Sequence, residues 1–406
     1  MASIRRRPAG RRVAFAAAAA AVVLALTASA CGPGDDDASN DGKGPEASPG
    51  TDLGEWQELL DQLPIDIDID AWMEGGWADW EKDEWLSEAG QYISIIIDDF
   101  WDSDRMREAE DRDKSIDEDD IDEGAGPGPG ESSDPADDRG ATDPTPAPVD
   151  AVAVDTPYNL NAAVVGKVFM ETPDGPMVCS GAVVKDPGNP GTSNLVATAG
   201  HCVHAGAEGG WFRNIAFAPA YNDRGADASE LESMPFEEQA PYGIWWTDLV
   251  GTTDYWVENG TDEGGNGAHQ DFAVMRVQPE DGGGASLEES VGAAVDINFQ
   301  APAVSGLGAT QVYGYPAAPP FDGMLMYQCS DQPTRLSLDW SEPVMYRVGC
   351  TMTGGSSGGP WLAQGSGGDP ELISVTSIGP YDSTWLAGPR LEDEAQGVFD
   401  EVRTSP

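Results

Sequence analysis

The sequence predicts an all-β fold, a barrel or a sandwich, for residues 151–406, preceded by an acidic, partly helical or disordered amino-terminal region. Two observations predict this organisation. Short apolar runs of strand length recur after residue 150, and clusters of glycine, proline, asparagine and aspartate separate them. These runs are 162–170, 179–184, 195–199, 272–277, 310–313 and 372–378. The first 150 residues instead combine an acidic composition with Pro- and Gly-rich stretches.

The charge of the chain excludes two classes of partner. The formal net charge is −51, and residues 31–150 hold 38 of the 72 acidic side chains but only 7 of the 21 basic ones. A chain of this sign repels the phosphates of nucleic acids and the anionic surface of membranes. We therefore expect no nucleic-acid partner, and a soluble protein that works outside the cell.

Residues 1–30 are predicted to be a signal peptide. Five arginines precede the apolar run 13–26, which is too short to span a bilayer as a stable anchor. The small residues Ala28, Ser29 and Ala30 fit cleavage by an ordinary signal peptidase. A cysteine directly after them, Cys31, also resembles the lipobox of bacterial lipoproteins.

The cysteine count favours the lipoprotein interpretation. Cys31 is left over when the other four cysteines are assigned to two disulfides, as expected of an exported domain. Those four are Cys179, Cys202, Cys329 and Cys350. We predict that a lipid on Cys31 holds the protein on the outer face of the cell membrane, as its only membrane contact. Secretion into the medium is the alternative.

Two segments of the amino-terminal region are predicted to be spacers. Residues 31–53 are rich in Gly, Pro, Asp and Ser and cannot bury enough apolar surface to offset the entropy of ordering. Residues 124–150 alternate Gly with Pro and then Asp with Pro, which is typical of a semi-extended linker. The domain boundary is therefore predicted near residue 150.

Residues 54–123 are acidic and yet contain six tryptophans. One helical face is predicted where apolar residues recur at helical spacing, and these are Ile93, Ile96, Ile97, Phe100 and Trp101. The segment is predicted to be a small helical module that hides its own apolar face. The alternatives are a docking or inhibitory segment and a recognition module for an unknown partner. The alternating Asp66, Asp68 and Asp70 lack the glycine and closing glutamate of an EF-hand loop, so no metal is predicted.

The candidate nucleophile lies in the stretch Gly354–Pro360, where two serines stand among four glycines and a proline. Glycines on both sides of Ser357 allow turns that expose its hydroxyl while neighbouring N–H groups converge on one point. That point is a predicted oxyanion hole. The alternative is an ordinary Gly- and Ser-rich surface loop.

A serine nucleophile needs a base, and the chain has only three histidines. His201 follows the apolar strand 195–199. Asp271 opens another strand, where its carboxylate can accept a hydrogen bond from an imidazole and fix the tautomer. His204 and His269 are predicted to be structural.

With these flanks, the order His201, Asp271, Ser357 resembles that of the chymotrypsin-like (trypsin-like) serine peptidases. Four motifs carry the resemblance: Cys-Ser-Gly at 179–181, Thr-Ala-Gly-His-Cys at 198–202, Asp-Phe-Ala-Val at 271–274 and Gly-Ser-Ser-Gly-Gly-Pro at 355–360. Shorter motifs at 217–222, 240–243 and 314–316 look like the bacterial glutamyl-endopeptidase-like branch. The resemblance covers about residues 158–403. It implies two six-stranded barrels with the triad in the cleft between them.

The resemblance also implies a role for each site residue. Ser357 attacks the scissile carbonyl, His201 takes and returns the proton, and Asp271 orients the imidazole. The N–H groups of Gly355 and Ser357 hold the oxyanion. By the same resemblance Cys179 pairs with Cys202, which leaves Cys329 to pair with Cys350.

The resemblance places the floor of the substrate pocket at Thr351 and its wall on residues 376–379, which include Ser377 and Gly379. Thr351 is uncharged, and Thr376 stands where glutamyl-specific members have a histidine. We therefore expect a small or medium uncharged side chain before the scissile bond.

The function predicted from the sequence is that of an exported, lipid-anchored serine endopeptidase, which hydrolyses protein or peptide substrates without a cofactor. The alternative is a catalytically silent fold of the same type that acts as a binding module. Because Ser356 precedes the nucleophile where digestive members have an aspartate, no buried carboxylate awaits a newly cleaved amino terminus. The site is therefore expected to form without that activation step.

Overall fold

A computed structural model describes residues 101–112, 114–118, 121, 140–172, 174–207, 209–280, 282–365 and 367–405. The predictions made for residues 1–100 lie outside this part of the chain. They include the signal peptide, the lipid on Cys31, the spacer 31–53 and most of the Trp-rich segment. Residues 124–139 of the predicted linker also lie outside it.

The described residues form mainly short β-strands. The strands are β1 (Glu110–Asp111), β2 (Ser115–Ile116), β3 (Val152–Ala153), β4 (Val165–Thr172), β5 (Gly175–Val184), β6 (Leu195–Thr198), β7 (Arg213–Pro219), β8 (Trp245–Thr252), β9 (Ala273–Pro279), β10 (Asp296–Ile297), β11 (Thr310–Gly314), β12 (Tyr327–Asp331), β13 (Thr334–Leu336), β14 (Met345–Gly349), β15 (Pro360–Gln364), β16 (Pro370–Val375), β17 (Gly379–Pro380) and β18 (Trp385–Gly388). The α-helices are α1 (Ser103–Glu108), α2 (Tyr158–Asn161), α3 (Ala228–Leu231), α4 (Phe236–Gln239), α5 (Asp254–Asn259), α6 (Leu287–Val291) and α7 (Asp393–Thr404).

Six antiparallel strands form the first barrel, in the order β5-β4-β7-β8-β9-β6, and β6 pairs back with β5 to close it. Val168 on β4 lies opposite Cys179 on β5 and Phe217 on β7, and all three side chains are buried. Closure leaves no unpaired edge, and the apolar residues inside supply the main favourable free energy of folding. The predicted all-β fold with a barrel is confirmed.

The second half of the domain is built from two sheets. One has the order β10-β16-β15-β11-β12-β3 and the other the order β13-β14-β18. Val312, Trp361 and Tyr346 from these sheets are buried in a shared apolar core. The disulfide between Cys329 on β12 and Cys350 after β14 links the two sheets covalently.

The carboxyl-terminal helix α7 covers the outside of the first barrel. Val398, Phe399 and Val402 are buried on one of its faces, and the helix contacts β8 and β9. Gly251 on β8 leaves the space for this approach, because a Cβ atom there would lie 2.9 Å from Val402. In the part of the chain that the structure describes, no helix has the length and apolar character needed to cross a membrane.

The residues that precede the predicted boundary also contact the domain. Trp101 is buried against Phe169, with ring centroids 5.3 Å apart, and its indole N–H donates to the Asn214 carbonyl at 2.7 Å. Asp143, in the segment predicted to be a linker, forms a 2.6 Å ion pair with the buried Arg335. Trp101, from the Trp-rich segment, therefore packs on the first barrel, and Asp143, from the linker, packs on the second half of the domain.

Candidate active site

The pairing of two strands brings His201 and Asp271 together. Thr198, the last residue of β6, lies opposite Ala273, the first residue of β9. The residues after β6 and before β9 therefore leave the barrel at the same end. His201 lies in a 3₁₀ turn, Gly200–Cys202, and the disulfide between Cys202 and Cys179 ties this turn to β5.

Asp271 holds His201 at two points. One carboxylate oxygen, Oδ1, accepts a 2.7 Å hydrogen bond from the His201 backbone N–H, and the other, Oδ2, lies 2.7 Å from the ring Nδ1. Ser377 donates a third hydrogen bond, at 2.6 Å, from its hydroxyl to Oδ2. This arrangement fixes both the position of the imidazole and the tautomer that carries its proton on Nδ1.

Asp271 is fully buried, yet its pKa lies below the ordinary value for an aspartate. Burial alone raises the pKa, but the charge and hydrogen bond of His201, the hydrogen bond of Ser377 and the nearby charge of Lys114 together outweigh it. The carboxylate therefore stays ionised at neutral pH and can stabilise an imidazolium next to it.

The second ring nitrogen of His201, Nε2, has no hydrogen-bond partner within the described part of the chain. The side chain is only 1% exposed. Because Nδ1 is committed to Asp271, Nε2 is the nitrogen that can accept a proton from another group.

The turn that carries Ser357 is fastened to both halves of the domain. The Ser357 carbonyl accepts a 2.7 Å hydrogen bond from the N–H of Ser180 on β5, and the Gly358 N–H donates to the Thr376 carbonyl at 2.7 Å. The Ser180 hydroxyl donates to the Gly355 carbonyl at 2.9 Å. These bonds hold the turn next to the strand end that leads to His201.

Two glycines allow the turn to take this shape. Gly355 and Gly358 have φ values of +90° and +75°, which side chains rarely adopt. A Cβ atom on Gly358 would lie 2.1 Å from the Thr198 hydroxyl, three residues before His201. The backbone of the turn therefore approaches Thr198, at the end of β6, so closely that only a glycine fits at position 358.

The N–H groups of Gly355 and Ser357 donate to no acceptor among the residues that the structure describes, whereas those of Ser356, Gly358 and Gly359 each donate to a carbonyl. Ser356 donates from its N–H to the Thr353 carbonyl at 3.2 Å and from its hydroxyl to the same carbonyl at 2.7 Å. Within the described part of the chain, both predicted oxyanion donors are thus available to bind an oxyanion.

The structure gives the predicted pocket residues other contacts. The Thr351 hydroxyl accepts a 2.9 Å hydrogen bond from the Ala151 N–H, and the Gly379 N–H donates to the Lys114 carbonyl at 3.3 Å. Ser377 directs its hydroxyl to Asp271. Sequence reasoning missed this contact, because nothing in the spacing shows which way a serine side chain points.

The other two histidines have structural contacts. His204 accepts a 3.0 Å hydrogen bond at Nδ1 from the Gly206 N–H, and its ring packs on Trp211. His269 lies 3.1 Å from Glu342 and packs on Tyr255. Cys179, His201 and Cys202 are close enough to suggest a metal site, but the two sulfurs are bonded to each other and cannot act as thiolate ligands. We assign no metal to these residues.

A scan against protein-family models finds no match to this chain, and a search of curated proteins finds none either. Solved structures do resemble it. The thermostable serine protease AL20 from an extremophilic microorganism is 30% identical, with a TM-score of 0.48 over 60% of this chain and 99% of that one. The protease Anisep from Arthrobacter nicotinovorans is 28% identical, with a TM-score of 0.48 over 62% of this chain and 99% of that one.

A third solved structure, a Glu endopeptidase in complex with MPD, is 15% identical, with a TM-score of 0.44 over 64% of this chain and 99% of that one. At these identities the comparisons do not single out the glutamyl-endopeptidase branch. These three structural neighbours are proteases.

Proposed function

We propose that this chain is a serine endopeptidase with Ser357 as nucleophile, His201 as general base and Asp271 as the residue that orients the base. The observation that carries the proposal is the buried His201–Asp271 pair, whose remaining ring nitrogen, Nε2, has no partner among the described residues. The motifs around the three residues support the same assignment.

The reaction follows from the roles of these groups. The Ser357 Oγ attacks the scissile carbonyl carbon while His201 Nε2 takes the hydroxyl proton, and the carbonyl oxygen becomes an oxyanion. The unpaired N–H groups of Gly355 and Ser357 stabilise that charge. His201 then gives its proton to the leaving amine as the C–N bond breaks. A water molecule, activated by His201, hydrolyses the acyl-enzyme.

We further propose export by the signal peptide and anchoring through a lipid on Cys31. The arginine-rich start, the apolar run 13–26 and the small residues before Cys31 support both steps. From the sequence motifs we also propose that the enzyme prefers an uncharged side chain before the scissile bond. The same motifs support the proposal that the chain is related to the glutamyl-endopeptidase branch.

Hydrolysis of casein by the purified full chain, over an incubation long enough to detect slow turnover, tests the proposal. We expect Ser357→Ala to abolish hydrolysis and Ser356→Ala, at the neighbouring hydroxyl, to retain it. Equal hydrolysis by wild type and Ser357→Ala would exclude Ser357 as the nucleophile. A folded wild type that neither hydrolyses casein nor reacts with a fluorophosphonate, before or after limited proteolysis, would favour the binding-module alternative.

A further inference from the structure

A segment from the amino-terminal region lies across the candidate active site. This cleft segment comprises residues 110–118, of which the structure describes all but Asp113. Its β1 pairs in parallel with β5, where Asp111 lies opposite Val178, one residue before Cys179. Its β2 pairs in parallel with β17, where Ser115 lies opposite Gly379. The cleft segment thus contacts a strand of each half of the domain.

Gly379, the first residue of β17, is also the last residue of the stretch 376–379 that the resemblance makes the wall of the substrate pocket. The Gly379 N–H donates to the Lys114 carbonyl at 3.3 Å, and the Ser115 carbonyl accepts a 2.9 Å hydrogen bond from the Gly264 N–H on the opposite side. An extended substrate that adds to this wall needs the same backbone group of Gly379. The cleft segment and such a substrate therefore exclude each other.

Lys114 fastens the centre of the cleft segment. Its side chain is fully buried, and its ammonium group donates to the carbonyls of Thr261, Gly264 and Asn266, the last two at 2.8 and 3.1 Å. The ammonium also lies 5.3 Å from the centroid of the Trp256 ring. Three carbonyl acceptors and an aromatic face form a site shaped for a cation.

Ile116 fastens the cleft segment through apolar contact. Its side chain is 3% exposed and belongs to an apolar cluster that includes Ile378 and Trp385. Ile378 directly follows Ser377, the residue that donates a hydrogen bond to Asp271. The Trp385 indole N–H donates to the carboxylate of Glu118 at 2.6 Å. Burial of an isoleucine side chain of this kind is expected to favour the docked state by a factor on the order of ten to one hundred.

Arg112 of the cleft segment contacts the backbone of His201, the proposed base. Its guanidinium lies 3.4 Å from the His201 carbonyl, forms an ion pair with Asp262 and packs over the Phe212 ring. Ser357 is 3% exposed under this cover. Neither oxyanion donor, the N–H of Gly355 or of Ser357, is bonded to a carbonyl of the cleft segment within the described residues. The segment covers the site without presenting one of its own peptide bonds to the oxyanion donors.

We infer that the cleft segment is a built-in inhibitor, which holds the peptidase closed until it is displaced. The inference rests on the proposed function and adds its regulation. It differs from activation by a new amino terminus, because the turn around Ser357 already has its hydrogen bonds while the segment is present.

The test uses full chains that keep every catalytic residue. Ile116→Asp weakens the apolar contact of the cleft segment, and Lys114→Met removes the hydrogen bonds of its ammonium group. Leu160→Asp is the control, because it places the same new charge at a side chain that is 79% exposed. We measure the rate of reaction with a fluorophosphonate probe and the hydrolysis of a peptide library. We expect both rates to rise about tenfold or more in Ile116→Asp and Lys114→Met, and to stay at the wild-type value in Leu160→Asp.

Hydrogen exchange at residues 110–118 and the thermal midpoint Tm accompany these rates. Faster exchange in the cleft segment with an unchanged rate of probe reaction would overturn the inference and leave the proposed function intact. A loss of activity on displacement, with Tm and fold retained, would also overturn it, because the segment would then assist catalysis. Absence of any Ser357-dependent reaction in every chain would instead remove the proposed function on which the inference rests.

Discussion

The Nδ1 atom of His201 lies 2.7 Å from the Oδ2 atom of Asp271, and the two side chains are 1% and 0% exposed. Because water does not compete for this hydrogen bond, the imidazole keeps one orientation and one tautomer. The base is therefore prepared before a substrate arrives, provided that the carboxylate remains an acceptor at both oxygens.

Asp271→Asn removes one of these acceptors and favours the wrong tautomer of His201. We expect kcat to fall by about 10⁴, while the enzyme keeps its fold. Ser377→Ala deletes only the 2.6 Å hydrogen bond to Oδ2 and should lower kcat far less. Asp248→Asn, at the ion pair with Arg276, is the matched control and should leave kcat near the wild-type value. Similar kcat values for Asp271→Asn and Asp248→Asn would contradict the role of Asp271.

The contact between His201 and Asp271 was predictable from sequence, because each candidate residue is marked by its local context. His201 follows a strand, Asp271 precedes one, and Ser357 stands among glycines. These positions depend on turns and strand ends, which short motifs record. The all-β fold follows from the same succession of short apolar runs and turn residues.

The contacts of Lys114 and Ser377 were not predictable from the sequence. Lys114 lies in an acidic stretch, where a lone lysine is normally a solvated side chain, and its carbonyl partners lie about 150 residues away. Such contacts join residues that are far apart in the sequence, so they depend on the tertiary structure and no local sequence pattern predicts them. One available signal was the alternation of Arg112 and Lys114 with acids, an extended pattern that places both cations on one side of a strand.

The turn around Ser357 should not tolerate a side chain at Gly358. Gly358→Ala forces a positive φ of 75° on alanine and places its Cβ against Thr198 and Ser180. We expect a loss of at least about 2 kcal/mol in the free energy of unfolding, together with loss of activity. Gly397→Ala, in helix α7 with open space around it, should raise stability by up to about 1 kcal/mol. Urea unfolding measures both, and a fully stable, active Gly358→Ala would refute the assigned geometry.

Inhibition by the cleft segment should strengthen with pH. Burial lowers the pKa of Lys114 from 10.5 to about 8, although Asp271 and Asp262 oppose the shift and Arg112 adds to it. The penalty for burying the charged ammonium is fully present below pH 8 and is lost as the pH rises from 8 toward 10.5. The docked state therefore gains relative stability across this window.

The measurement is the ratio of fluorophosphonate reaction rates, wild type to Lys114→Met, between pH 7 and 10.5. We expect the ratio to fall as the pH rises above 8. Lys185→Met, at an exposed ion pair with Asp296, is the control and should give a constant ratio to wild type. A wild-type to Lys114→Met ratio that is flat or rises across the window would contradict this prediction.

Membrane attachment should depend on Cys31 alone. In a bacterial host, radiolabelled palmitate should enter the wild-type protein and not Cys31→Ser, which should appear in the medium. Ala28→Leu, which makes the small-residue motif more like a lipobox, should retain the label. Soluble wild-type protein without lipid would leave ordinary secretion as the route.

The site of covalent labelling by a fluorophosphonate identifies the nucleophile. The full chain carrying Ile116→Asp is treated with a fluorophosphonate, digested and sequenced by mass spectrometry, beside the same chain with Ser357→Ala or with Ser356→Ala. We predict one adduct on Ser357, none in the Ser357→Ala chain and an unchanged adduct in the Ser356→Ala chain. An adduct on another residue, or equal labelling with and without Ser357, would contradict the account.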